Sequence, residues 1–378
     1  MFDVIIVGAG FAGSVLAERF ATQKNKSVLV IERRREIGGN CHDYYLHGIL
    51  VHKYGPHIFH TDNEKIFKYL SQFTKWDVYF HKTLAAVDGN LVPIPFNLNT
   101  LYKVFPKSTA EKIETNLLNH FEYNSKVPIL KLRESSNESL KKLAEFVYEK
   151  IFLHYTMKQW GLNPNEIDPE VTGRVPVFIG RDDRYFNDRF QAIPNKGYTE
   201  IFRNMLAQKN IHLMLNTDFH DVLKIVDDQI YFLDQKFDGE LIYTGQLDEL
   251  FDHKFGTLPY RSLRLEFENL PVQWYQPTTN VNYPNDYDFT RITEFKHLHP
   301  TKVESTVILK EYPQPYKPGE NDPYYPIFTE ENQTMFKKYS EEVSKIKHLT
   351  AVGRLAEYRY YDMDDIIARS LEVFENWT

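Results

Sequence analysis

The chain has one cysteine, Cys41, among 378 residues. A single thiol excludes an intramolecular disulfide and a cysteine-based metal cluster, and it is typical of a reducing compartment. The sequence also lacks an uncharged apolar run long enough to span a bilayer. No basic segment followed by an apolar one precedes the first predicted strand. We therefore expect no signal peptide, no membrane insertion and a cytoplasmic location.

An excess of basic residues is also missing. The 45 lysines and arginines are outnumbered by 52 aspartates and glutamates, which gives a formal net charge of −7. Non-specific nucleic-acid binding usually needs a basic face, so we expect no nucleic-acid partner. The sequence contains no internal repeat, and its length is typical of two or three domains.

The residues that are present begin with a dinucleotide-binding pattern. Residues 4–7 and 28–31 are continuous apolar runs, typical of strands buried on both faces of a parallel sheet. The glycines between them suit a tight turn, close approach to a pyrophosphate at a helix start, and close packing of that helix on the strand. This turn predicts cofactor contacts from Gly8, Gly10, Phe11, Ala12 and Gly13.

An acidic residue ends the second strand. Glu32 follows the glycines by about 20 residues, at the position where an acid accepts hydrogen bonds from a ribose. The alternative is a surface glutamate, because three arginines follow it. The first of these, Arg33, adjoins the adenosine end of the predicted site. This pattern alone does not separate FAD from NAD.

Two later segments favour FAD. Residues 37–40 form a Gly-Gly turn like the one that passes beside FAD in flavoproteins of the glutathione-reductase and amine-oxidase type, although an ordinary turn is the alternative. Residues 352–364 lead into an apolar C-terminal helix and predict the return of a discontinuous FAD domain. Asp362 suits the cap of that helix, a contact to polyol hydroxyls or the flavin edge, or both.

The pattern predicts an α/β fold with three regions: a discontinuous Rossmann-like FAD-binding domain, an inserted helical domain and a mostly antiparallel β-sheet domain. The FAD-binding domain is predicted over residues 1–76, 190–225 and 325–378. The mainly helical domain is predicted over 77–160, and the antiparallel sheet substrate domain over 161–189 and 226–324. We expect the substrate cleft between them.

Over essentially its whole length the sequence resembles the bacterial UDP-galactopyranose mutase family. The similarity is carried by residues 37–40, 54–61, 155–161, 173–177, 185–187, 290–294, 322–326 and 353–364. It implies an isomerase that interconverts UDP-galactopyranose and UDP-galactofuranose, through a covalent adduct of the sugar with N5 of reduced FAD. It further implies an external reductant such as NAD(P)H, a homodimer, and a supply of galactofuranose for surface glycans. The resemblance also implies a mobile loop over 160–165 that closes over the substrate and excludes water.

The resemblance also implies which residues act. Arg174 and Arg291 lie in the diphosphate-clamp motifs, where a planar and permanently charged guanidinium suits the task; with His60 they are the implied catalytic residues. The other implied substrate contacts are Tyr155, Thr156, Trp160, Tyr185, Phe186, His81, Arg261, Asn282, Tyr324, Tyr325 and Tyr360. Those implied for the flavin are Gly39, Asn40, His57, Ile58, Arg354, Tyr361, Asp362 and Met363. Which of Tyr324 and Tyr325 faces the phosphates stays open.

The sequence departs from the family at two places. The family often has asparagine where this chain has His81, and the spacing from Asn282 to Arg291 is one residue shorter than usual. Family members with arginine in place of His60 accept N-acetylated sugars, so the histidine favours plain UDP-galactose.

Other interpretations are weaker. His57 and His60 lie three residues apart, but a metal site needs a fuller ligand set, so we expect no metal. An FAD-dependent amine oxidase or dehydrogenase shares the N-terminal pattern, and so does a non-catalytic nucleotide binder. An NAD-dependent dehydrogenase is disfavoured by the C-terminal return.

Overall fold

The chain folds into a mixture of strands and helices. The computed structural model describes residues 2–161 and 176–377. The strands are β1 (Val4–Val7), β2 (Val28–Glu32), β3 (Asp43–Leu46), β4 (Ile49–His52), β5 (Phe59–Thr61), β6 (Trp76–Val78), β7 (Thr83–Val87), β8 (Asn90–Ile94), β9 (Lys126–Val127), β10 (Val177–Phe178), β11 (Phe190–Pro194), β12 (Ile211–Leu215), β13 (Leu223–Val226), β14 (Gln229–Phe232), β15 (Gln235–Lys236), β16 (Glu240–Tyr243), β17 (Tyr260–Leu270), β18 (Asn280–Asn282), β19 (Arg291–Glu294), β20 (Thr306–Pro315), β21 (Tyr325–Pro326) and β22 (Leu349–Ala351).

The helices lie mainly in the first half of the chain and at its C-terminal end. They are α1 (Phe11–Gln23), α2 (Glu64–Leu70), α3 (Leu98–Val104), α4 (Lys107–His120), α5 (Ile129–Arg133), α6 (Glu138–Val147), α7 (His154–Trp160), α8 (Tyr198–Leu206), α9 (Leu247–Leu250), α10 (Glu330–Lys345) and α11 (Met363–Glu375). A π-helical turn, Tyr148–Leu153, joins α6 to α7. Among the residues described, no helix combines the length and apolar character that a membrane span requires.

Five strands form a parallel sheet in the order β12-β2-β1-β16-β22. Along the chain this is the Rossmann order, and ligands bind such sheets at the carboxyl edge where the strand order reverses. Alternate residues of β1 enter two cores, because successive side chains of a strand point to opposite faces. Ile6 packs with Leu16 of α1, whereas Ile5 packs with Leu241 on the other face. The predicted α/β class and the Rossmann-like region are confirmed.

A seven-stranded sheet faces the carboxyl edge of the parallel sheet. Its order is β21-β17-β20-β19-β18-β7-β8, and its strands pair antiparallel except for the parallel pair β18–β7. Helices α3 to α6 pack on its β7–β8 end, where Leu143 and Val147 share a core with Val87 and Val92. The apolar face of α6 is therefore part of the core.

Four strands pair differently from the predicted domain boundaries. Residues 240–243 fall in the predicted sheet domain, but β16 pairs with β1 and β22 in the parallel sheet. Residues 83–94 fall in the predicted helical domain, yet β7 and β8 join the seven-stranded sheet, and β21 at 325–326 pairs with β17. Short apolar strands look alike in either sheet, so their membership depends on pairing that a local pattern does not contain.

Candidate active site

A cavity lies at the carboxyl ends of β1, β2 and β16, and we call it the Rossmann cavity. The predicted cofactor contacts that line it are Gly8, Gly10, Phe11, Ala12, Glu32, Arg33, Gly39, Asn40, His57, Arg354, Tyr361, Asp362 and Met363. These residues come from both ends of the chain, so the C-terminal return reaches the N-terminal turn as expected. Asp362 also caps α11, where its N–H donates to Asp365 Oδ2 at 3.2 Å.

The glycines of the first turn have three different roles. Gly8 has φ +106°, a value that side chains disfavour. Gly13 lies outside the cavity, and a Cβ there would stand 1.9 Å from the Gly8 carbonyl oxygen, so it serves helix–strand packing. Gly10 is the N-cap of α1 without a side-chain capping bond. The N-terminus of α1 therefore meets the cavity uncapped by a side chain, as an anion site requires.

Glu32 is held at the edge of this cavity. Its carboxylate accepts hydrogen bonds from the N–H groups of Ala9 at 2.8 Å and Arg34 at 2.9 Å. The residue is buried, which excludes the alternative of a surface glutamate. A carboxylate has about four lone-pair sites, so Glu32 can also accept from a ribose hydroxyl. Arg33 also lines this end of the Rossmann cavity, and its guanidinium forms a 3.4 Å ion pair with Glu249.

A second cavity, which we call the sheet cavity, opens between the Rossmann cavity and the seven-stranded sheet. The predicted residues that line it, apart from those it shares with the Rossmann cavity, are Ile58, His60, His81, Tyr185, Phe186, Asn282, Arg291, Tyr324, Tyr325 and Tyr360. The shared residues are Asn40, His57, Arg354, Asp362 and Met363. A ligand that fills the Rossmann cavity therefore has one end at the sheet cavity.

Arg291 is positioned by the register of three strands. Asn282 of β18 and Glu311 of β20 lie directly opposite it on either side. Its Nε donates to Asn282 Oδ1 at 3.2 Å, its Nη2 donates to the Tyr155 hydroxyl at 3.1 Å, and its Nη1 lies 3.7 Å from Glu311 Oε1. Burial lowers the pKa of Arg291, but the Glu311 carboxylate and nearby tyrosines raise it by more. The guanidinium is therefore fixed in place and charged.

Glu311 was not predicted from the sequence. Burial raises the pKa of its carboxyl, and Arg291 lowers it by less. Oε1 has no hydrogen-bond partner among the residues described, although it lies in the sheet cavity wall. A buried carboxyl with a raised pKa can hold or release a proton beside a ligand. No motif marks this residue; only its position opposite Arg291 does.

Two histidines line the cavity with different environments. His57 donates from Nδ1 to the Gly55 carbonyl at 2.8 Å, and burial lowers the pKa of His57 to about 4. Its neutral ring can therefore only accept, through Nε2. His60 stacks on Phe186 with ring centroids 3.6 Å apart, and its Nδ1 lies 3.3 Å from Asp188. No group of three potential metal ligands occurs in the described part of the chain.

The two neighbouring tyrosines have different surroundings. Burial raises the pKa of both phenols. The next charges acting on Tyr324 are those of Asp322 and Arg34, whereas Glu311, Arg354 and Arg291 act on Tyr325. The surroundings thus favour Tyr325 as the phenol on the Arg291 side.

Helix α7 contacts the site through Tyr155, which binds the Arg291 side chain. Tyr155 and Thr156 do not line the sheet cavity as the structure describes it; the Tyr155 hydroxyl accepts from Arg291, and Thr156 is buried. Their substrate contacts remain predictions. Trp160 is the last residue of α7, but its side chain lies outside the described residues, as do Arg174 and most of the predicted loop.

Arg261 caps α7 rather than lining the cavity. Its Nε donates to the Gln159 carbonyl at 3.1 Å and its Nη2 to the Lys158 carbonyl at 3.3 Å. These are orphan carbonyls of the last helical turn, where a cation is favoured. The resemblance implies a substrate contact, whereas the geometry indicates a positioning role.

Arg261→Met tests which role dominates. We expect the free energy of unfolding to fall by about 1–2 kcal/mol, because two hydrogen bonds to helix carbonyls are lost. We expect kcat/KM to fall only about 10-fold (~1.4 kcal/mol), since α7 carries Tyr155 and so acts through Arg291. Urea unfolding and turnover measure the two effects. A loss as large as that of an Arg291 variant, without loss of stability, would instead show direct substrate contact.

Several cavity residues were not predicted. Arg34 stacks 3.9 Å above the Tyr54 ring and donates to Asp322 at 2.9 Å. Others in the Rossmann cavity are Thr217, Phe219, Tyr243, Thr244, Gly245 and Glu249. Most of these follow or end β12 and β16, so they could be found only once both strands were placed in the parallel sheet.

Comparison with known proteins agrees with this architecture. A family model described as UDP-galactopyranose mutase matches residues 150–360, and one described as an NAD(P)-binding Rossmann-like domain matches residues 6–73. The UDP-galactopyranose mutase of Mycoplasma genitalium is 36% identical over 98% of this chain and 93% of its own. The dTDP-fucopyranose mutase of Escherichia coli is 33% identical over 98% of this chain and 97% of its own.

A solved structure shares the fold. The crystal structure of reduced UDP-galactopyranose mutase superposes with a TM-score of 0.73 at 16% identity, covering 99% of this chain and 93% of that one. The family match spans more than half of the chain, and the sequence relatives span nearly all of it. The chain therefore belongs to the UDP-galactopyranose mutase family, and it is an enzyme of the isomerase class.

Proposed function

We propose that this enzyme interconverts UDP-galactopyranose and UDP-galactofuranose with the help of reduced FAD. The observation that carries the proposal is the junction of the two cavities, where a dinucleotide site opens onto the side chain of Arg291. A cofactor that extends along the Rossmann cavity would present its far end to a sugar held beside a fixed guanidinium.

The residues that line the Rossmann cavity suit the successive parts of FAD. Glu32 and Arg33 bound the adenosine end, and the uncapped N-terminus of α1 at Gly10 suits the pyrophosphate. The shared wall of His57, Arg354 and Asp362 would then surround the isoalloxazine, where the two cavities meet. When bound and reduced, FAD supplies a nucleophilic N5 for the anomeric carbon of the sugar.

Arg291 is suited to the leaving group. A departing UDP carries a diphosphate, and a guanidinium held by Asn282 and Tyr155 can donate to it without reorganising first. Tyr325 adds a hydroxyl on the same side. Because the nucleotide must return to the sugar after ring contraction, a grip that retains it is as important as one that assists departure.

Glu311 is suited to proton movement beside that grip. Burial raises the pKa of its carboxyl, and its Oε1 accepts no hydrogen bond from the described residues, with Arg291 Nη1 3.7 Å away. We propose that it exchanges a proton with a sugar hydroxyl as the ring opens and closes.

The resemblance of the sequence to the family also supports an electron donor such as NAD(P)H, a homodimer, a cytoplasmic location and galactofuranose supply for surface glycans.

The proposal predicts that activity depends on flavin reduction. Protein reduced with dithionite or NAD(P)H and incubated with UDP-galactofuranose should form UDP-galactopyranose, detected by chromatography. The air-oxidised protein should be inactive until it is reduced, because oxidised flavin has no nucleophilic N5. Full activity of the oxidised protein would contradict the role given to the cofactor.

A parallel assay with dTDP-fucopyranose separates the two activities that relatives carry. Preference for UDP-galactofuranose over the dTDP-fucose pair supports the assignment, and the reverse preference would move it to the second substrate. An amine oxidase or dehydrogenase would instead consume an electron acceptor and change the flavin spectrum when substrate is added.

A further inference from the structure

A row of buried polar residues crosses the seven-stranded sheet beside Arg291. Asn280 of β18 lies directly opposite Thr83 of β7 on one side and Thr293 of β19 on the other. Asn280 is two positions from Asn282 on β18, and Thr293 is two positions from Arg291 on β19. Side chains two positions apart on a strand point to the same face, so this row and the Asn282–Arg291 row share one face of the sheet. Thr83, Asn280 and Thr293 are all buried. The sheet thus carries a second polar row next to the one that holds the guanidinium.

This polar row contacts one ring nitrogen of His81 and so bears on which nitrogen carries the proton. The ring Nε2 lies 3.0 Å from Thr83 Oγ1 and 3.3 Å from Asn280 Nδ2. Asn280 Oδ1 accepts from Thr293 Oγ1 at 2.9 Å, and its amide nitrogen faces the ring. An amide nitrogen can only donate, so in this arrangement Nε2 accepts and the ring proton lies on Nδ1. Burial, with Arg291 and His60 nearby, lowers the pKa of His81 to about 3, so the ring is neutral at ordinary pH.

The other ring nitrogen has no partner. His81 is 3% exposed and contributes to the wall of the sheet cavity. Its Nδ1 is buried without a hydrogen-bond partner in the part of the chain that the structure describes. The ring also packs against Phe186, with centroids 5.8 Å apart, and Phe186 lines the same cavity. A buried donor without an acceptor is costly, and a ligand atom that accepts from it removes that cost.

We propose that His81 determines sugar specificity by donating from Nδ1–H to one hydroxyl oxygen of the hexose, with Asn280 as the positioning residue that sets its tautomer. The proposal rests on the mutase function proposed above. An asparagine at this place, as the family often has, offers both a donor and an acceptor, whereas this histidine offers a donor alone. The chain should therefore reject sugars that lack one particular hydroxyl, such as the 6-hydroxyl missing from fucose.

The experiment tests which sugar hydroxyl His81 contacts, by removing one hydroxyl of the substrate at a time. Reduced holoenzyme is assayed with UDP-galactofuranose and with analogues that lack the 2-, 3- or 6-hydroxyl, and kcat/KM is compared. For the wild-type enzyme, kcat/KM should fall ~10- to 100-fold with one of the analogues. That analogue lacks the hydroxyl oxygen that accepts from Nδ1–H, so the Nδ1–H group is left unpaired. His81→Phe keeps an aromatic ring but removes both nitrogens, so that selective loss should shrink to within about 3-fold.

His81→Asn is the matched variant, because its amide can donate again; it should restore part of the discrimination at the same hydroxyl. If His81→Phe shows the same three analogue ratios as the wild type, the specificity role is refuted while the mutase function stands. A reduced wild-type enzyme without turnover refutes the mutase proposal itself.

A spectroscopic readout is independent of turnover. Long-range nitrogen–proton correlation NMR distinguishes the two neutral tautomers of a histidine, and the His81 signal is identified by its absence in His81→Asn. The proposal requires the Nδ1–H form in the wild type and a changed tautomer population in Asn280→Leu. An Nε2–H form in the wild type would overturn it.

Discussion

Replacing Arg291 with alanine is expected to lower kcat/KM of the reduced enzyme by about 10²- to 10³-fold, with the flavin still bound. The side chain reaches the sheet cavity but not the Rossmann cavity, so cofactor binding should not depend on it. The loss should be large because Asn282 and Tyr155 hold the guanidinium ready before substrate arrives. Steady-state turnover and visible flavin absorbance measure the two properties separately.

Two further variants show whether charge or geometry matters. Arg291→Lys keeps the charge but cannot contact Asn282, Tyr155 and a diphosphate together, so we expect only partial recovery. Adding Glu311→Gln to Arg291→Ala should restore stability without restoring turnover. Activity of Arg291→Ala within about 3-fold of the wild type would be incompatible with the proposed grip.

Stability should depend on pH in the Arg291→Ala variant. The folded-state pKa of Glu311 is already raised by burial, and removing its neighbouring cation raises it further. A carboxyl whose folded pKa is raised contributes stability at low pH, and that contribution is lost as pH rises through the folded value. The single variant should therefore lose stability as pH rises from the ordinary glutamate value of 4.5 through the raised folded value, and the double variant should not.

The part of the fold that the sequence could predict is local. The β1–α1–β2 unit follows from two apolar runs and a glycine turn, because buried parallel strands need continuous apolar residues. The C-terminal return is equally local, since α11 begins at the end of the segment 352–364, where the helix was predicted. Residues named by these patterns meet in the Rossmann cavity.

The part that the sequence could not predict is set by pairing. Nothing near residues 240–243 indicates that they join β1 rather than the antiparallel sheet. Glu311 lies 20 positions from Arg291 along the chain, yet strand register places them opposite each other. The same is true of Asn280 and Thr83. Strand register, rather than any motif, brings these polar groups together.

Gly10→Leu is expected to give a folded protein that lacks flavin. Gly10 has φ −80° and ψ −171°, a conformation open to any residue. The atom nearest to a Cβ there is Gly39 Cα at 3.7 Å, an ordinary contact. Because Gly10 lines the Rossmann cavity, a leucine side chain would extend into the space proposed for the pyrophosphate. We expect FAD affinity to fall about 100-fold, or ~3 kcal/mol.

Two neighbouring substitutions make that result interpretable. Gly10→Ala adds a methyl group that fits, so flavin binding should weaken only slightly. Gly13→Ala places a Cβ against the Gly8 carbonyl oxygen and should destabilise the fold itself, because backbone atoms cannot yield as a flexible side chain can. Circular dichroism reports folding and visible absorbance reports the cofactor. A Gly10→Leu protein that purifies with a full complement of flavin would show that the pyrophosphate does not lie at the start of α1.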